Sequence, residues 1–389
     1  MTIDFNQIVN RKNTNSLKYD FAVERGKSDT ILPLWVADMD FPTAPAVTEA
    51  LVKASQHGIF GYTEVKEEYF AVLRNWFSSQ YNWNIERKWL VKTPGVVYAI
   101  CMAIGAFTEK GDAVLIQRPV YYPFSESILS NERLLINNAL VYKNGKYHMD
   151  YIDFEKKIID NKVKVFILCN PHNPVGRVWT KDELITIGDI CVKHNVLVLS
   201  DEIHADFIYP GHEHIVFASL KPEYLSRTIT CTAPSKTFNL AGLQVSNIFI
   251  ENSQLKSAFK NEIVKSGYSQ LNTMGLVACQ AAYEHGEDWL KGLKQYLLEN
   301  LNYLRNFLQV HLPDLTLIEP DGTYLIWIDF QKMNLTDIEL ENLIVNKAGL
   351  WLDAGTLFGP EGSGFQRINI ACTRETLTQA LNQLKNAID

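Results

Sequence analysis

Between Ala113 and Ile250 one pattern recurs: a short aliphatic or β-branched run, then a longer stretch in which apolar residues return every three or four positions. The short runs predict strands at Ala113–Gln117, Arg133–Asn137, Val163–Cys169, Val196–Ser200, Thr228–Thr232 and Val245–Ile250. The periodic stretches predict helices at Val96–Phe107, Asp150–Ile159 and Lys181–His194, the last opening on the capping box Thr180-Lys-Asp-Glu183. Strands that alternate with helices at this spacing build an open, mostly parallel sheet covered on both faces.

The flanks read differently. The first ~45 residues are polar, then rich in Pro and Trp, without helical period, and read as an arm and crossing segment. A helix is expected from Ala46, then a loop at Gly58-Ile-Phe-Gly-Tyr62. From about Ala281 a long helical stretch runs to Leu312. A strand at Thr323–Phe330, a second capping box at Thr336-Asp-Ile-Glu339, a strand at Phe365–Ala371 and a terminal helix follow. The expected fold class is therefore α/β, with a large domain at 46–285 and a smaller α+β domain at 286–389, to which the arm at 1–45 is joined. A chain of 389 residues is long enough for two cores.

Composition narrows the function without naming it. Hydrophobic residues make up 47% and charged residues 21%, and the net charge is −7, with no Lys/Arg block to engage nucleic acid. No segment has the length and apolarity to cross a bilayer, and no basic-then-apolar leader opens the chain, so a cytoplasmic location is expected. The six cysteines are scattered, several in apolar runs, and read as buried reduced thiols. The nine histidines show no metal-ligand spacing, and His212 and His214 are expected to be solvated in a loop after Pro-Gly.

Four segments place polar residues where a strand ends or a helix begins, which is where open α/β sheets bind ligands. Thr93-Pro-Gly95-Val96-Val97 precedes an apolar helix, whose free N–H groups suit a phosphate, although a plain strand-to-helix turn would look the same. Cys169-Asn-Pro-His-Asn173-Pro-Val-Gly176 carries two Asn-Pro steps. They predict an extended, rigid loop that fixes the Asn173 amide, or else no more than a turn. Val196–Ser200 is followed by Asp201, a carboxylate costly to bury without a cation, and His204 stands close by to face the same ligand. Lys236 follows an apolar strand among small residues, where desolvation would give the neutral amine needed to attack an aldehyde. Together the four describe a site for pyridoxal 5′-phosphate: a helix start for phosphate, an acid for the pyridinium, an amide for the ring hydroxyl and an amine for the aldehyde.

The chain resembles the fold-type I, class I/II aminotransferase superfamily nearly end to end, and within it the MalY/PatB-type cystathionine β-lyases and cystalysin-like C–S lyases. The resemblance rests on Trp35-Val-Ala-Asp-Met-Asp-Phe41, Thr93-Pro-Gly-Val-Val97, Pro119-Val-Tyr-Tyr-Pro123, Asn170-Pro-His-Asn-Pro-Val-Gly-Arg177, Ser200-Asp-Glu-Ile-His204, Ala233-Pro-Ser-Lys-Thr-Phe-Asn239 and Arg367-Ile-Asn-Ile370, in that order. It implies a mostly parallel seven-stranded sheet in the large domain. It also implies that Lys236 is the Schiff-base lysine and general base, Asp201 the pyridinium partner, Asn173 the hydroxyl partner and Tyr121 the residue stacked on the ring. Val96, Val97 and Ser235 would hold the phosphate, and Tyr62 would reach the phosphate of a neighbouring subunit, which implies a homodimer with shared sites. Arg367 would clamp the substrate carboxylate in a two-pronged ion pair, with a backbone N–H from Ala37.

Two positions depart from the common transaminase pattern: His204 stands where a Tyr is expected, and Gln244 where a phosphate-binding Arg is expected. Both match the lyase branch. The resemblance therefore implies a carbon–sulfur lyase that converts cystathionine- or cysteine-type small molecules to a thiol, pyruvate and ammonia. The alternatives are an aminotransferase, or a lyase with an added regulatory binding role.

Overall fold

The computed structural model describes residues 4–389. Its centre is a seven-stranded sheet of β1 (Leu90–Thr93), β2 (Ala113–Ile116), β3 (Leu134–Asn137), β4 (Val165–Cys169), β5 (Leu197–Asp201), β6 (Thr228–Thr232) and β7 (Ser246–Phe249), in the spatial order β1-β7-β6-β5-β4-β2-β3. Every pairing is parallel except those of β7, which runs antiparallel to both β6 and β1. The sheet is thus mostly parallel and seven-stranded, as the resemblance implied. The middle strands β2, β4, β5 and β6 are buried almost throughout, because helices cover both faces. β1 was not foreseen: Leu-Val-Lys-Thr is too short and mixed to announce a strand, and pairing with β7 creates it.

The capping boxes form as expected. Thr180 accepts from the Glu183 N–H while the Glu183 carboxylate accepts from the Thr180 N–H, and Thr336 and Glu339 repeat the arrangement. The long helix expected from Ala281 is instead two, Thr273–His285 and Glu287–His311. The break falls at Gly286 because the ring of Phe238 packs there: a Cβ would lie 2.3 Å from it. Helices at Glu67–Tyr81, Pro123–Ser130 and Ser253–Lys265 were not anticipated either. The Asn-Pro loop is a compact turn and not an extended run. His172 N–H donates to the Arg177 carbonyl and Gly176 N–H to the His172 carbonyl, which folds the segment back on itself. Both Asn-Pro peptide bonds in it are cis.

The C-terminal part carries a second sheet, in the spatial order Thr316–Leu317, Leu325–Asp329, Phe365–Asn369, Asp353–Ala354, and helix Arg374–Ile388 packs against helix Glu287–His311 and strand Leu350–Trp351. The N-terminal segment joins this part: Leu32–Pro33 pairs in parallel with Leu350–Trp351, and Asn369 N–H donates to the Leu34 carbonyl. Five of the six cysteines are buried and all six are free thiols. No helix is long and apolar enough, among the described residues, to cross a membrane.

Candidate active site

The carboxyl ends of β1, β4, β5 and β6 lie along one sheet edge, and the reversed β7 brings its first residue, Ser246, to the same edge opposite Thr93. One pocket opens there. Its walls include Val96, Val97, Tyr121, Asn173, Asp201, His204, Ser235, Lys236, Ala37 and Gln244, so every cofactor residue named from sequence converges on it except Tyr62. Tyr62 lies outside the pocket and is 95% exposed.

The anion end of the pocket is built by helix Val96–Phe107. Gly95 caps it at φ 136°, a backbone angle that favours glycine, and its N–H is held by the Ser246 hydroxyl at 3.2 Å. The first turn therefore presents unpaired backbone N–H groups to the pocket.

Asp201 is the last residue of β5 and is buried, with one hydrogen bond, from the Ile203 N–H at 3.1 Å. Burial pushes its carboxyl up to about 7, with Glu202 adding to the rise, because the Ile203 N–H and, less, Lys236 only partly offset the loss of solvent. A carboxylate in that state lacks a close cation, and a pyridinium would provide one. Lys236 sits on the short helix Pro234–Thr237 beyond β6, with its amine 2.8 Å from the Ala37 carbonyl oxygen. Burial is the largest influence on it and Arg367 adds to the effect, bringing the amine down to about 8. His204 is buried, its Nδ1 has no partner, and burial holds its basicity well below the ordinary value, so the ring stays neutral. The Tyr121 phenol is pushed upward by burial and remains a neutral ring against the pocket.

Arg367 stands behind Asn173. Its Nη1 donates to the Asn173 Oδ1 at 2.9 Å and its Nη2 to the Trp35 carbonyl at 2.8 Å and to Asp353, while Nε is buried without a partner. Both bidentate edges of a guanidinium include Nη2. A substrate carboxylate can therefore be clamped by two prongs only if it displaces Asp353 or the Trp35 carbonyl.

Sequence reasoning missed several members of this assembly. Asp353 carried the signal that singled out Asp201, a carboxylate in an apolar run, but went unread. Tyr324 donates its phenol at 3.1 Å to the Ala37 carbonyl that Lys236 also uses. Asn369 and Asn239 hold the crossing segment by its backbone: Asn369 donates to the Val36 and Asp38 carbonyls, Asn239 to those of Met39 and Phe41. His214 is not solvated as expected. Its ring pairs with the buried Glu202 carboxylate at 2.9 Å, because the loop after Gly211 folds back under β5. His212 stays at the surface.

The donor set fits pyridoxal phosphate. A helix start can take the phosphate, Asp201 lacks a close cation, and a lysine with lowered basicity stands in the same pocket. Fold and site define a pyridoxal-phosphate-dependent enzyme. The chain belongs to the aminotransferase class I and II family, which it matches over residues 29–384. It is 41% identical to the cystathionine β-lyase PatB of Bacillus subtilis, over 99% of this chain and 100% of the relative. Among solved structures it superposes with a TM-score of 0.97 on a PLP-bound protein of Clostridium difficile 630 described as an aminotransferase, at 44% identity over 100% of both chains. Cystalysin of Treponema denticola, which contains pyridoxal 5′-phosphate, follows with a TM-score of 0.96 and 38% identity, over 100% of this chain and 99% of that one.

Proposed function

We infer that this chain is a carbon–sulfur β-lyase, acting on amino acids of the cysteine-thioether type such as L-cystathionine. The overall change takes R–S–CH2–CH(NH3⁺)–COO⁻ and water to the thiol R–SH, pyruvate and ammonium. The observation that carries the reading is the Lys236 amine, brought down to about 8, in one pocket with a buried Asp201 and beside Arg367. Near neutral pH a fraction of that amine is an unprotonated base, suited to take the proton from the substrate Cα.

Pyridoxal phosphate, when bound, supplies the electron sink for the charge left at Cα as the C–S bond at Cβ breaks. Asp201 would stand opposite the pyridine nitrogen as the acid that favours its protonated form. Val96, Val97 and Ser235 would hold the phosphate, Asn173 would hydrogen-bond the ring hydroxyl, His204 shares the same pocket, and Tyr121 would stack on the ring. Arg367 takes the substrate carboxylate, helped by the Ala37 N–H. The Ala37 carbonyl, 2.8 Å from the Lys236 Nζ, receives the ammonium formed when Lys236 picks up the proton. Tyr62 belongs to the neighbouring subunit's site in a homodimer. Its exposure, with Ile59 at 72% and Phe60 at 61%, leaves an apolar loop that supports an interface there. The arm with residues 286–389 forms the small domain, the remainder the large one, and the enzyme works in the cytoplasm.

The rival reading, an aminotransferase, uses the same cofactor contacts. His204 and Gln244, in place of the tyrosine and arginine of that pattern, favour the lyase. Pyruvate release from L-cystathionine with no 2-oxo acid present is the test. If product appears only after 2-oxoglutarate is added, the lyase reading fails.

A further inference from the structure

The N-terminal arm closes on the crossing segment through a clasp of four charged side chains, Arg11, Lys18, Asp38 and Asp40. Arg11 grips Asp38 with both prongs of its guanidinium: Nη1 donates to Oδ1 at 3.0 Å and Nη2 to Oδ2 at 2.6 Å. The same Nη1 also donates to Asp40 at 2.8 Å and to the Met39 carbonyl at 3.2 Å. Lys18, which has no solvent exposure, donates to the same Asp40 oxygen at 3.0 Å and stands 3.7 Å from Asp38. The Tyr19 phenol donates to the other Asp40 oxygen at 3.0 Å. A lysine without exposure is tolerated only because carboxylates meet it, so the clasp is not a chance surface pairing.

What the clasp holds is the backbone that carries Ala37. The Ala37 carbonyl accepts from the Lys236 amine at 2.8 Å and from the Tyr324 phenol at 3.1 Å. Asn369 ties the carbonyls on either side of it, those of Val36 and Asp38. Asp38 is thus one residue from the carbonyl on which the amine rests. Charge follows the same route. Burial, then Arg367, lower the basicity of the amine, and Asp38 is first among the groups that raise it, ahead of Asp201. The other titratable groups about the amine and its pocket, His204, Tyr121, Tyr324 and Cys169, are neutral. With Arg11 and Lys18 against Asp38 and Asp40, the clasp carries two positive and two negative charges. Removing any one of them leaves the amine facing a net charge of known sign.

We propose that Asp38, held in the fork of Arg11, is a positioning residue of the reaction. It fixes the Ala37 carbonyl where Lys236 rests, and its charge, balanced by Arg11, sets how readily Lys236 gives up its proton. The proposal rests on Lys236 as the reacting amine and adds the group that tunes it. Neither Asp38 nor Arg11 touches the reacting atoms, so both act through Lys236.

The test follows the rate of pyridoxal phosphate capture against pH in the cofactor-free full chain, by stopped-flow absorbance. The titrations of the cofactor itself, and of Asp201 at about 7, are common to every variant, so only the displacement between curves is read. Asp38→Asn removes a negative charge near the amine and should move the curve roughly half a pH unit down. Arg11→Gln leaves Asp38 with less positive charge beside it and should move the curve up by a similar amount. Arg11→Lys keeps the charge without the fork and should bring it back toward the wild type. The double variant Asp38→Asn with Arg11→Gln leaves the clasp neutral and should bring it back as well. If either single variant does not fold, the other and the double variant carry the comparison. Curves that coincide, or single variants displaced in the same direction, show a clasp that only steadies the arm and overturn the proposal. Borohydride reduction of the captured cofactor separates the two levels. A label away from Lys236 removes the reading of that lysine and the proposal with it, whereas coinciding curves with the label on Lys236 overturn the proposal alone.

Discussion

The amine of Lys236 lies 2.8 Å from the carbonyl oxygen of Ala37, a residue 199 positions earlier in the chain. The crossing segment thus forms one wall of the site and fixes where the amine rests. Burial brings that amine down to about 8, so the cofactor-free protein holds it mostly as ammonium at pH 7. Capture of pyridoxal phosphate should slow about tenfold per pH unit below 8 and level off above it. Stopped-flow absorbance of cofactor addition to the cofactor-free protein measures this. Borohydride should fix the cofactor to the peptide holding Lys236, and a labelled peptide elsewhere would remove Lys236 from its role.

Asp201 gives a stability prediction whose sign is fixed by its direction of shift. Its carboxyl is raised from 3.8 to about 7 by burial, so the folded cofactor-free protein binds a proton that the unfolded chain releases. Stability therefore falls as pH rises from about 4 to about 7, by on the order of 4 kcal/mol for this group. Asp201→Asn should melt higher than the wild type at pH 8 in the absence of cofactor, and the two should coincide near pH 4. With cofactor the order should reverse in activity, turnover falling at least about a hundredfold because the pyridinium has lost its partner.

Arg367 and Asp353 form a buried ion pair, and its two members should respond differently to substitution. Arg367→Lys leaves a point charge that cannot serve Asn173, the Trp35 carbonyl and Asp353 together, so KM should rise about tenfold or more. Asp353→Ala leaves the guanidinium short of its counter-charge and should cost about 3 kcal/mol in unfolding free energy, measured by denaturant titration. An unchanged KM in Arg367→Lys would sink its assignment to the substrate carboxylate.

The turn that follows Asp353 depends on a glycine contact. A Cβ on Gly355 would lie 1.9 Å from the Gly362 carbonyl oxygen, and one on Gly362 would lie 2.0 Å from that of Gly355. Backbone meets backbone here and neither side can yield. Gly355→Ala should destabilise the protein by about 3 kcal/mol or more and weaken substrate binding through Asp353.

Shared sites in a homodimer can be tested by mixing two inactive proteins. Lys236→Ala and Tyr62→Ala, each with low activity alone, should regain turnover when their subunits are exchanged, because one site of each hybrid dimer is then intact. A mixture that stays as inactive as its parents after subunit exchange would place Tyr62 in its own subunit's site and sink the shared site.

Much of this protein was legible along the chain. Short apolar runs marked six of the seven central strands, and Thr180 with Glu183 marked a helix start. Polar residues at strand ends picked out Asp201, Asn173, Lys236 and the phosphate turn, because period, capping and the cost of burying charge act locally and leave local signatures. Tertiary structure decided what depends on distant partners. β1 exists because β7 reverses to pair with it, the long C-terminal helix breaks where Phe238 occupies the space beside Gly286, and His214 is buried because Glu202 waits beneath its loop. The resting place of Lys236 belongs to the same class. No spacing in the sequence announces that Ala37 will face it, since the contact is made only when the arm crosses the sheet edge and is tied down by Asn239 and Asn369.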